Sequence, residues 1–208
     1  MRTHPIVSAV VTCVCLGATL GAASSCGTKP AATPPPVANF PGSASLERAR
    51  AAAAANQLDR AADALADAMR EVEDAGPLRI RNLQLVERDV RGFGLYTGLK
   101  NDTLKPGDGL FLYFEPAGMT HALADGLWTS DLTADLAILL PDGTVAQDKP
   151  DFLVSTVQSH APNREIQFVM RLATTGIQEG DFLVRVTLHD RLGKKTAVEQ
   201  IPVKFRIK

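Results

Sequence analysis

Between residues 78 and 208 apolar side chains recur at every second position. Ile166, Phe168, Met170 and Leu172 fall on one side of an extended chain, with Gln167 and Arg171 on the other. Phe182, Val184, Val186 and Leu188 alternate with Arg185, Thr187 and His189; Ile201, Val203, Phe205 and Ile207 alternate with Lys204, Arg206 and Lys208. A period of two predicts strands with one face on a core and the other in water. Turn chemistry separates the runs: Lys105-Pro106-Gly107-Asp108, Pro141-Asp142-Gly143, Gln178-Glu179-Gly180-Asp181 and Asp190-Arg191-Leu192-Gly193-Lys194. Further strands are expected over residues 80–87, 93–98, 109–115, 128–140 and 152–158. About seven to nine short antiparallel strands make a mainly β, two-sheet sandwich.

Residues 45–76 follow a different period. Leu58, Ala61, Ala62, Leu65, Ala68, Met69 and Val72 recur at three- and four-residue spacing, opposite Asp59, Arg60, Asp63, Asp67, Arg70 and Glu71. Ser45 is the expected N-cap, Glu47 suits the first turn, and Gly76-Pro77 stops the helix. Asn56 admits either one helix or a hairpin. Residues 49–68, through Asn56-Gln57-Leu58-Asp59-Arg60-Ala61, resemble one tetratricopeptide unit, whose small residues let two helices approach. A single unit builds no solenoid, since each needs neighbours to bury its face. The segment is therefore expected to pack on the domain that follows it.

The first residues divide as an export signal: basic Arg2, an apolar run over residues 6–20, then small residues 21–25. About fifteen apolar residues fall short of the roughly twenty that span a bilayer. Ala23-Ser24-Ser25-Cys26-Gly27 resembles the lipobox of bacterial lipoproteins. That resemblance implies cleavage before Cys26 and a diacylglyceryl group on its sulfur, with Ala23 standing where the family prefers Leu. Ordinary cleavage after Ala23 or Ser25 would instead release a soluble secreted protein. Cys13 and Cys15 lie inside the apolar run, so that alternative leaves Cys26 as a lone thiol in an oxidising compartment. Residues 26–44 then form a tether carrying Pro30, Pro34, Pro35, Pro36 and Pro41. Gly27 after the cysteine resembles the sorting signal of outer-membrane lipoproteins, which in a host with two membranes implies a folded domain facing the periplasm.

The closing segment, Gly180-Asp181-Phe182 through Asp190-Arg191-Leu192-Gly193-Lys194-Lys195, resembles the last hairpin of immunoglobulin-like domains in exported bacterial proteins. Arg91-Gly92-Phe93-Gly94, Lys105-Pro106-Gly107 and Leu110-Phe111-Leu112-Tyr113-Phe114-Glu115 similarly resemble the opening strands of such domains. The resemblance implies a fold over residues 78–208 and brings no catalytic residues with it.

Charge changes little. The chain carries 22 basic and 23 acidic side chains, a formal net charge of −1, so no global field recruits nucleic acid. Arg185, Lys204, Arg206 and Lys208 read as a solvated outer face. His121, His160 and His189 have no second ligand at metal-like spacing, and no calcium loop, nucleophile elbow, H-E-x-x-H or P-loop is present. The expectation is a non-enzymatic module without a cofactor, and the best surface for a protein or glycan partner is the insertion over residues 116–129. It holds Met119, His121 and Trp128, the last able to stack on a sugar, fill a partner's pocket or pack in the core.

Overall fold

A computed structural model describes residues 40–206. Cys26, the expected export signal and the expected tether up to residue 39 lie outside the described residues. Two helices open the described chain, α1 (Ser43–Ala54) and α2 (Leu58–Ala75). Nine strands follow: β1 (Arg79–Leu85), β2 (Thr103–Leu104), β3 (Gly109–Ala117), β4 (Ala122–Ala124), β5 (Leu127–Leu139), β6 (Val145–Ser159), β7 (Phe168–Ala173), β8 (Gly180–Asp190) and β9 (Lys195–Phe205).

The strands form two sheets. One has the order β1-β3-β7, all antiparallel. The other runs β2-β9-β8-β5, with β6 along the far edge of β5 and β4 beside the start of β5. All pairs in it are antiparallel except β2 on β9, which is parallel. In immunoglobulin lettering the order β9-β8-β5-β6 is G-F-C-C′, facing A-B-E in β1-β3-β7. The expected antiparallel sandwich with an N-terminal helical element is the architecture of this chain.

The alternation explains the core. Leu110, Leu112 and Phe114 of β3 meet Leu132, Ala134, Leu136 and Ile138 of β5, Val184, Val186 and Leu188 of β8, and Val203 and Phe205 of β9. Burying a large aliphatic side chain is worth about 1.5–3 kcal/mol, and no disulfide shares the work because all three cysteines precede residue 27.

Several elements depart from the sequence expectation. The helical segment is a hairpin, broken at Asn56, whose φ of 56° only a few side chains tolerate. Ser45 is not the N-cap: α1 starts at Ser43 after Gly42, and Ser45 is buried one turn in, its hydroxyl 2.7 Å from Glu71 Oε1. The two helices meet through Ala49, Ala61, Ala64 and Ala68, close packing that only small side chains permit. Leu58, Leu65, Met69 and Val72 remain exposed, because among the described residues no third helix covers that stripe.

Residues 93–98 are not a strand. Only isolated bridges occur there, Val86 with Gly98 and Gly92 with Leu95. The segment instead covers the outer face of β3: the Tyr96 and Tyr113 ring centroids lie 4.1 Å apart, and Gly94 N–H donates to Tyr113 Oη at 2.7 Å. Tyr113 donates in turn to Glu115 Oε1 at 2.7 Å, and Asn82 Nδ2 to Glu115 Oε2 at 2.8 Å. Burial, reinforced by the bond to Glu115, pushes the Tyr113 phenol up to about 12.

Candidate functional site

The insertion over residues 116–129 is no free loop. After Gly118 it forms a short hairpin in which β4 pairs with the start of β5, joined through Asp125-Gly126 at positive φ. Met119 is buried at 3 % exposure within the core. The His121 ring is buried as well, with 4 % of its side chain exposed. Its Nε2 lies 3.1 Å from the Asn163 carbonyl oxygen and its Nδ1 4.0 Å from Asp74 Oδ1. Both residues hold structure together. His160 is exposed in the turn after β6.

Trp128 has a different position. It opens β5, half-buried, and forms the floor of a groove of about 610 Å³ between α2 and residues 161–165. The Arg70 guanidinium carbon lies 5.2 Å from the indole centroid, within the range of a cation–π contact. Asp63, Asp67, Arg164 and Glu165 complete the rim. A flat aromatic floor with both signs of charge around it can hold a polar chain and select its side chains.

The groove exists because α2 is held against the sandwich by charged contacts. Arg164 Nε meets Glu73 Oε2 at 3.0 Å, and its Nη2 donates to the Ala66 carbonyl at 3.0 Å. Lys195 Nζ donates to the Asp74 carbonyl at 2.6 Å and to that of Gly118 at 2.9 Å. No basic residue of α2 lies in its own last turn, so Lys195 supplies from the next domain the cation a helix C-terminus favours. Gly118 sits at φ 75° where an added Cβ would overlap the Pro77 carbonyl. Asp190, 1 % exposed, accepts from Thr120 N–H at 2.8 Å and from Gly193 N–H at 2.9 Å, tying the β8–β9 turn to the same loop.

A line of charge runs across both helices. Arg48 meets Asp67 at 3.2 Å, Asp67 meets Arg70 at 3.8 Å, and Arg70 meets Asp74 at 3.6 Å. Arg70 is thereby fixed above Trp128 from two sides.

Other polar groups lie on the outer face of the large sheet. His189 Nε2 is 2.8 Å from Asp135 Oδ2 and its Nδ1 is 3.3 Å from Thr196 Oγ1. Burial raises the Asp135 carboxyl, but the His189 bond and the Asp151 backbone N–H outweigh it and hold the group below its usual range. Hydrogen bonding by Arg191 and by Thr156 does the same for Asp131. Lys204 pairs with Asp102 at 2.8 Å and Arg206 with Asp181. A second cleft, about 700 Å³, opens at the other end of the sandwich among Leu140, Ile177 and Phe182. It lacks the convergence of aromatic and opposed charges seen at Trp128.

Among the described residues no group of three His, Cys, Asp or Glu side chains is placed to hold a metal, and no helix is long and apolar enough to cross a membrane.

No family model matches the chain, and no curated protein matches it. Solved structures overlap it weakly. A Pseudomonas fluorescens alkylpurine DNA glycosylase bound to abasic DNA shares 13 % identity over 73 % of this chain and 40 % of its own, with a TM-score of 0.36. The Bacillus subtilis sporulation control protein shares 10 % over 64 % of this chain and 51 % of its own, at 0.34. The CARDB domain of a Pyrococcus furiosus protein in complex with di-metal ions shares 13 % over 62 % and 86 %, at 0.28. At those scores the overlaps carry no argument about function, and this chain spans about half or less of the first two proteins.

Proposed function

We propose that this chain is a non-enzymatic, lipid-anchored protein of a bacterial cell envelope, exported, attached through Cys26 and facing the periplasm from the outer membrane. Its sandwich and helical hairpin together form a binding module. The observation that carries the binding reading is Trp128 lying beneath Arg70 as the floor of the groove. Arg70 lies over the indole ring and competes with a sugar for stacking there. The opposed charges of Asp63, Asp67, Arg164 and Glu165 match a polypeptide carrying charges of both signs. A protein partner is therefore favoured over a glycan.

Trp128 is the single tryptophan of the chain, so chain labelled with 5-fluorotryptophan gives one fluorine resonance, reporting the groove alone. Envelope proteins solubilised from the native host are expected to shift or broaden it, and oligosaccharides from the same envelopes to leave it unchanged. A response to the sugars alone makes the groove a glycan site, and silence to both removes the binding reading. The anchor is tested separately by intact mass: a diacylglyceryl-modified N-terminus at Cys26 is expected, and an unmodified thiol there contradicts it.

A further inference from the structure

The long strand β6 has neighbours on one side only. It pairs with β5 and, among the described residues, with no other strand. Its two halves differ. The first half carries Asp148, Lys149 and Pro150, with Asp151 at φ 47° in a register shift against β5. Charge, proline and a bulge are the devices by which natural sheets blunt an edge. The second half, residues 153–159, reads Leu-Val-Ser-Thr-Val-Gln-Ser, with neither charge nor proline. It runs in unbroken register from Leu153 opposite Ala134 to Ser159 opposite Trp128.

The direction of its free backbone groups can be deduced. Asp131 carbonyl accepts from Arg191 N–H at 2.9 Å, so its polar backbone points toward the β8 side. Thr156 lies opposite Asp131 on the other side of β5. Its own N–H and C=O therefore point away from β5, to the open edge. By alternation the same holds for Val154 and Gln158, whose side chains are exposed on the outer face.

The geometry points to pairing of this edge with a second copy of the same chain, antiparallel about a two-fold axis at Thr156. That register sets Thr156 against Thr156, Val154 against Gln158 and Leu153 against Ser159. It keeps each face of the joined sheet continuous and uses the whole unguarded run. Self-pairing is favoured over a foreign strand because the edge carries no charge to select one, while an isologous contact needs only self-complementarity. Seven residues span about 23 Å, a small contact area, so a reversible dimer in the micromolar range is expected.

Sedimentation velocity of the full chain, carrying Cys26→Ser, from about 1 to 100 µM tests this. A monomer–dimer equilibrium is expected, weakened at least tenfold by Val154→Lys and likewise by Gln158→Lys. Both substituted side chains point to solvent, so thermal midpoints should hold, and the second variant covers misfolding of the first. In a chain with Cys13, Cys15 and Cys26 all replaced by Ser, Thr156→Cys should form a disulfide-linked dimer on mild oxidation, since hydrogen-bonded pairs place Cα atoms about 5.5 Å apart. A chain monomeric throughout, or a dimer indifferent to both lysines and unlinked by Thr156→Cys, overturns the proposal.

Discussion

Trp128 and Met119 are nine positions apart in one insertion, yet one lines a groove and the other fills the core. Nothing local separates them. Met119 turns inward because Gly118 brings the chain against Pro77, a contact across about forty residues that leaves no mark in the alternation. His121 was equally unreadable, since Asp74 and Asn163, which bury it, come from α2 and from the chain after β6. At this scale Gly118→Ala is expected to cost about 2 kcal/mol or more, since positive φ and a backbone overlap act together; chemical denaturation measures it. Tyr113 gives a pH prediction. Its pKa is raised from 10.0 to about 12, so above about pH 10 the unfolded chain loses this proton first. Stability present below that pH should therefore fall as pH rises toward 12, and Tyr113→Phe should flatten this part of the curve.

The elements were legible where their own period was strong. β7, β8 and β9 carry clean alternation, β3 and β5 are apolar-rich runs, and all five overlap their expected positions. Residues 93–98 have the aromatic content of a strand, but the glycines at 92, 94 and 98 bend the chain over Tyr113 and Glu115 instead. The first half of β6 was missed for the opposite reason: Asp148, Lys149 and Pro150 erase its alternation, and only the length of β5 opposite draws it into the sheet. The hairpin turn at Asn56 allows a direct check. Asn56→Ala should destabilise by about 1 kcal/mol, the left-handed penalty of a side chain without local hydrogen bonding, while Asn56→Gly should be near neutral. Lys195→Met should loosen the end of α2, because the carbonyls of Asp74 and Gly118 lose their donor. Faster hydrogen exchange confined to the last turn of α2 and the loop around Gly118 would show it.

For the whole molecule, the sandwich needs no disulfide because aliphatic side chains from six strands close its core. The hairpin is secured to one end mainly by Arg164 and Lys195, and the acid response belongs to the large sheet. The carboxyls of Asp131 and Asp102, held below their usual range by Arg191 and by Lys204, add stability above the unfolded carboxylate pKa and lose it as pH falls through the folded values. The sandwich was readable because most of its longer strands carry their own apolar signal. The groove was not, because Trp128, Arg70 and Arg164 meet only after α2 folds back onto the sandwich. The most direct test of the groove is photo-crosslinking in intact cells of the native host. A photoreactive residue at Ala161, on the rim, should give a discrete protein adduct that disappears when Arg70→Glu is added to the same chain. The same residue at Gln178, at the opposite end of the sandwich, should give none. Equal adducts from both positions, or an Ala161 adduct that survives Arg70→Glu, would contradict the groove as the binding site.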